Sequence, residues 1–154
     1  MSKEAYKSFE IRTAEHYFNQ LVLQSFEDFK KNILSSKSAI ICAVFVWHFH
    51  EWMWAQSSCE IKVNLGIKKC NEFKNYLYKE CPSFLIVSEI ANGSKHFNSD
   101  GKMINHTSLQ HGFVGMTMPL ESHLIIKTPD KIYFFVNELR ACIQYWEDFM
   151  KDKI

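Results

Sequence analysis

Residues 39 to 54 read AIICAVFVWHFHEWMW, and the fold follows from how this stretch is placed. Ala39 to Trp47 is the longest uninterrupted apolar run, nine residues. Extending it to Ala55 takes in His48, His50 and Glu51, so it is too short and too polar for a membrane span. A helix apolar nearly all round is normally central, touched on several sides. The sequence therefore predicts a core helix over roughly 39–59, with neighbours to bury it.

Those neighbours appear on both sides. Tyr17, Phe18, Leu21, Val22, Ser25, Phe29 and Ile33 recur at three- and four-residue steps, which predicts a helix from Thr13, its N-cap. Glu27, Asp28, Lys30 and Lys31 would face solvent. The run Ser35-Ser36-Lys37-Ser38 ends this helix and caps the core one. A more polar helix is expected over about 67–80 and ends at Cys81-Pro82; Pro82 suits the first turn of a fourth helix over about 82–97. After the turn cluster Asn98-Ser99-Asp100-Gly101, Gly112 and Gly115 flank a short extended stretch. Leu124–Lys127 and Lys131–Phe135, flanking Thr128-Pro129-Asp130, read as a small hairpin. A last helix is expected over 136–151, with Leu139, Cys142, Ile143, Trp146, Phe149 and Met150 inward. The expected fold is mainly α: a four- to five-helix bundle (about 13–97), an antiparallel β-hairpin (about 112–135) and a C-terminal helix, in a single domain over 1–154.

Composition supports this. A chain of 154 residues and 18.2 kDa fits one domain, and 47% hydrophobic with 23% charged residues excludes disorder as the dominant state. Lysine plus arginine minus the acidic residues is 18 − 17 = +1, which argues against a strongly basic nucleic-acid clamp and leaves room for a local patch. Five Gly and three Pro supply little turn chemistry for a many-stranded sandwich or barrel. Cys42, Cys59, Cys70, Cys81 and Cys142 are odd in number with no CxxC pair, which reads as reduced, mostly packing residues of an intracellular protein. Residues 1–6 lack the apolar core of a signal peptide. The expected location is cytoplasmic, with no membrane association.

The chemistry-bearing residues fall on two helices. Glu89, Asn92 and His96 stand at i, i+3 and i+7, on one helical face, with Lys95 beside His96. A carboxylate, an amide and an imidazole on one strip can move a proton or hold a phosphate. Gly93, costly inside a helix, suggests a close neighbour there. The alternative is a polar strip that lines the bundle and closes on itself by hydrogen bonds. On the core helix, His48 and Glu51 share a face at i, i+3, whereas His50 points elsewhere, toward Trp54. A buried Glu51 would need a partner, His48 first and then His96 or Lys95. His48 and His50 also fit as satisfied core histidines among aromatics. If the second and fourth helices are adjacent, their polar strips form one site. His48, Glu51, Glu89 and His96 give a His/Glu set for metal, but the order departs from the Glu-x-x-His of di-iron bundles, and Glu15-His16 fits no better. No cofactor or metal is therefore assigned. His106, His111 and His123 read as surface residues in an irregular region. Two of the 18 basic residues are Arg, so the Trp-rich helix has little phosphate grip beside it.

The Asn92-x-x-x-His96 spacing resembles the signature of the HEPN superfamily, helical-bundle proteins of prokaryotic defence, toxin–antitoxin and RNA-processing systems. Their ribonuclease motif is an Arg, a polar residue such as Asn, three or more residues and a His. Asn92 and His96 match it, while Ala91 stands at the Arg position, and Lys95 offers only a point charge in place of a bidentate fork. The resemblance covers the motif and the helical segment 13–97. It implies a homodimer with a composite cleft, RNA or a partner protein as ligand, and a phage-related or prokaryotic defence role. With the Arg missing, it implies a binding or regulatory module. The alternatives are a metal-independent ribonuclease with His96 as general acid/base, Lys95 and Asn92 steadying phosphate and Glu89 beside them, and a metal-binding bundle.

Overall fold

The structure is a computed structural model that describes residues 9–93, 106–110 and 123–153. In chain order it contains α1 (Ala14–Tyr17), a π-helical segment (Phe18–Leu23), α2 (Gln24–Lys31), α3 (Ser36–Gln56), α4 (Cys59–Asn64), α5 (Cys70–Glu80), α6 (Ser83–Gly93), β1 (His106–Gln110), β2 (His123–Lys127), β3 (Ile132–Phe134) and α7 (Phe135–Lys153). The fold is mainly helical with an antiparallel hairpin before the C-terminal helix, as the sequence predicts.

The Thr13 hydroxyl accepts from the His16 N–H at 3.1 Å, which caps the first rod. That rod runs through α1, the π segment and α2 without a break, and ends where Asn32 leaves helical geometry. The hydrophobic spacing does not reveal the π segment, because Phe18 and Val22 are buried in it at the usual four-residue step. Glu27–Lys30 and Asp28–Lys31 form ion pairs of 2.6 and 3.0 Å on its outer side.

Ser35 caps α3 through the Ser38 N–H at 3.1 Å. This helix is central: α1, the π segment, α2, α5, α6 and α7 all pack on it. Trp146 of α7 is fully buried, and its indole N–H donates to the Val46 carbonyl at 3.1 Å. Its ring meets Phe49 (5.1 Å), Phe84 (5.0 Å) and Phe73 (6.3 Å), so one side chain joins α3, α5, α6 and α7.

The expected helix over 39–59 ends at Gln56, and a second, short helix follows from Cys59. The Ser57 hydroxyl donates to the Met53 carbonyl at 2.6 Å and closes α3; Ser58 then accepts from the Ile61 N–H at 3.2 Å and opens α4. Gly66, at φ 68°, ends α4: the Gly66 N–H reaches Val63 O (2.9 Å) and the Ile67 N–H reaches Lys62 O (2.9 Å). Both bonds of a Schellman turn are present, which a side chain with a Cβ would strain. This turn moves the start of the next helix from 67 to 70, where the Glu72 carboxylate accepts from the Lys68 and Lys69 N–H groups at 2.6 and 3.2 Å.

β2 and β3 pair around the turn at Thr128, whose hydroxyl accepts from the Lys131 N–H at 3.1 Å. The sequence reading missed β1, which pairs with β2 from His106↔Lys127 to Gln110↔His123. His106 and His123 are therefore strand residues; the His123 ring meets Phe134 at 4.8 Å. Residues 111–122, including His111, Gly112 and Gly115, lie outside the described residues. All five cysteines are free thiols: Cys42 and Cys142 are buried, Cys70 and Cys81 half-buried and Cys59 exposed. Among the described residues no helix is long and apolar enough to cross a membrane.

Candidate functional site

α3 and α6 are adjacent, and theirs is the most extensive helix–helix contact among the described residues. The faces that meet are apolar. α6 turns Phe84, Val87, Ser88 and Ala91 inward, at i, i+3, i+4 and i+7. Trp47 of α3 lies 6.3 Å from the Phe84 ring and stacks on Tyr78 of α5 at 5.3 Å; the Tyr78 hydroxyl donates to Ser88 at 3.2 Å.

The two polar strips therefore do not make one buried site. Glu89 is half-buried and Asn92 exposed, on the arc of α6 that also carries Leu85, 50% exposed. Glu89 and Asn92 lie toward the outside of the bundle instead of lining it. Gly93, also exposed, ends α6 without a close-packed interior position. Lys95 and His96 lie outside the described residues.

On α3 the expected pair is present. His48 Nδ1 lies 3.4 Å from Glu51 Oε1, with side chains 36% and 60% exposed. Glu51 is thus solvated and needs no buried partner, which corrects the reasoning that tied it to His96 or Lys95 across the bundle. Surface pairs of this kind contribute about 0–1 kcal/mol, so the pair adds little to stability. The negative charge of Glu51 also reaches Tyr17, whose hydroxyl is pushed up to about 12, first by burial and then by Glu51.

His50 is the reverse case. It is fully buried, and its ring lies 4.4 Å from Trp47, not beside Trp54 as the spacing suggests. Nδ1 donates to the Trp47 carbonyl at 2.5 Å, while Nε2 has no hydrogen-bond partner. This core histidine is only half satisfied. Burial lowers its pKa below the ordinary 6.5; the Trp47 carbonyl opposes that, Lys74 adds to it, Glu51 opposes and His48 adds.

Among the described residues no three His, Cys, Asp or Glu side chains gather as a metal-ligand set. Glu15, His16, His48, Glu51 and Glu89 do not form the His/Glu cluster of the metal-binding reading. Two features escaped the sequence. One is a groove of about 210 Å³ beside the π segment, with Gln20, Gln24 and Asp28 on one wall and Ser38, Ile41 and Phe45 on the other. The four-residue spacing of Gln20, Gln24 and Asp28 was the available signal. The other is Cys81, half-buried, whose thiol is drawn down to about 7, first by the Cys142 thiol and against the opposing effect of burial; its signal was a cysteine immediately before Pro82 and a helix start. Compared with family models, curated proteins and solved structures, the chain matches none of them.

Proposed function

We propose that this chain is a HEPN-like helical-bundle binding or regulatory module of a prokaryotic or phage-related defence system, working as a homodimer and not cleaving RNA. The observation that carries this reading is Ala91. It stands where the ribonuclease motif has its phosphate-holding Arg, and it is 2% exposed on the inward face of α6. A guanidinium there would be buried in the bundle instead of offered to a phosphate.

Support for binding comes from the outer face of α3. Ile40 and Ile41 are 37% and 40% exposed, and the same side continues to the His48–Glu51 pair two turns further on. Apolar residues beside a polar pair suit a protein partner better than a polyanion, in keeping with the net charge of +1. A second copy of the chain is the partner assigned to this face.

The test combines sedimentation velocity with a cleavage assay on metal-stripped protein, wild type beside His96→Ala. A dimer at micromolar concentration and intact RNA with both proteins are expected. RNA cut by the wild type and spared by His96→Ala would instead establish the ribonuclease reading. A monomer at all concentrations would remove the homodimer.

A further inference from the structure

The first rod and α3 are joined by residues 32–35 and run back along each other, which orders the groove of about 210 Å³ between them. Asp28 and Ser38 flank the end nearest the connection, Gln24 and Ile41 the middle, and Gln20 and Phe45 the far end. The π segment gives this groove its polar wall. In an unbroken α-helix each four-residue step turns a side chain by about 40°, so Gln20 and Asp28 would stand about 80° apart. A π-helix winds more loosely, at about 4.4 residues per turn, so the step from Gln20 to Gln24 turns back by roughly 30°. Asp28 then returns almost into line with Gln20, and all three side chains border one groove.

The two walls differ in chemistry. Gln20, Gln24 and Asp28 are exposed, and among the described residues no hydrogen bond engages either amide or the Ser38 hydroxyl. Across from them, Ile41 is 40% exposed and Phe45 is half-buried, held edge-on by the Tyr17 ring at 6.1 Å. Asp28 is the one charged side chain lining the groove among the described residues. Lys31 pairs with its Oδ1 at 3.0 Å, but both partners are well exposed, so the pair is weak and Oδ2 is left for another donor. The groove therefore offers acceptors and one negative charge at one end and apolar surface along its length.

We propose that this groove binds a small organic cation with an apolar body, its ammonium at the Asp28–Ser38 end and its body along Ile41 and Phe45. An ammonium carries three donors and no acceptor, which matches the Asp28 carboxylate, the Ser38 hydroxyl and the Gln24 amide oxygen. Phe45 offers a ring to the body of the ligand. At the packing density of a protein interior the volume takes roughly ten non-hydrogen atoms, the size of an arylalkylamine. An anion of the same shape would meet Asp28 and find no cation lining the groove.

The test titrates the isotope-labelled full chain with phenethylamine, phenethyl alcohol and phenylacetate at pH 7 and follows amide resonances by NMR. Ile41 also edges the α3 face assigned to a second copy, so the chain is kept below its self-association concentration, checked by sedimentation; failure to dimerise leaves this test intact. Phenethylamine should move the side-chain amides of Gln20 and Gln24 and the backbone of Ile41, with a dissociation constant on the order of 1 mM. Phenethyl alcohol should bind about fivefold more weakly, and phenylacetate more weakly still. Asp28→Asn should weaken the amine about fivefold and leave the alcohol unchanged, whereas Gln24→Glu should tighten the amine by a similar factor. Both positions are exposed, so both variants should fold. Equal binding of the three probes, shifts centred elsewhere or absent, or an Asp28→Asn chain that binds the amine as the wild type does would overturn the proposal.

Discussion

Replacing His50 with Leu should flatten the acid side of the folding-stability curve. In the folded chain the imidazole is fully buried, one nitrogen is bonded to the Trp47 carbonyl and the other has no partner, so a second proton has nowhere to be solvated. Its pKa is therefore lower folded than unfolded, where it is near 6.5. Above that value the imidazole is neutral in both states and its contribution to stability is complete. As the pH falls through it, the unfolded chain takes up a proton that the folded chain refuses, and stability is lost by up to about 1.4 kcal/mol per pH unit. Down to pH 5 the loss is at most about 2 kcal/mol. At pH 8 the variant exchanges a hydrogen bond for relief of an unpaired nitrogen, each about 1 kcal/mol, and should match the wild type within about 1 kcal/mol. Urea unfolding followed by tryptophan fluorescence between pH 8 and 5 measures both proteins, and every other titrating group cancels in their difference. Parallel curves would refute the reasoning, because they would mean that His50 charges as readily folded as unfolded.

Three further outcomes follow from the packing. Ala91→Arg should lower stability by about 3 kcal/mol or more, read as a urea midpoint shift, and should not create RNA cleavage, because the position faces the bundle interior. Trp146→Phe keeps most of the ring contacts but loses the bond to Val46, at about 1–3 kcal/mol, whereas Trp146→Ala should cost about 3–5 kcal/mol in the same titration. Gly66→Ala meets nothing within 4 Å of the added Cβ, so its whole cost is the left-handed backbone, about 1 kcal/mol by thermal unfolding.

Helical periodicity made the first rod, α3 and α7 legible, and turn chemistry made the hairpin legible. The break at Ser57-Ser58 was also written in the sequence, since two adjacent hydroxyl residues can close one helix and cap the next. It was obscured by the apolar run before it. The orientation of the candidate strip was not legible. Phe84, Leu85, Ile86, Val87 and Ile90 make α6 apolar nearly all round, so spacing shows that Glu89 and Asn92 share a face but not that the face is outward. The same ambiguity hid which of His48 and His50 is buried. β1 was missed because His106-Thr107-Ser108-Leu109-Gln110 has one large apolar residue and gains its strand character by pairing with β2.

The bond between Trp146 and Val46 also has a consequence in time. Its partners lie 100 residues apart, and at roughly 5–20 residues per second a ribosome needs about 5–20 s to supply the second after the first. For that interval α3 is present without the indole that joins its neighbours. A newly made chain must therefore shelter its central helix until α7 emerges. Variants that slow closure by α7 would show themselves first as lost yield during synthesis, while the mature protein keeps its stability.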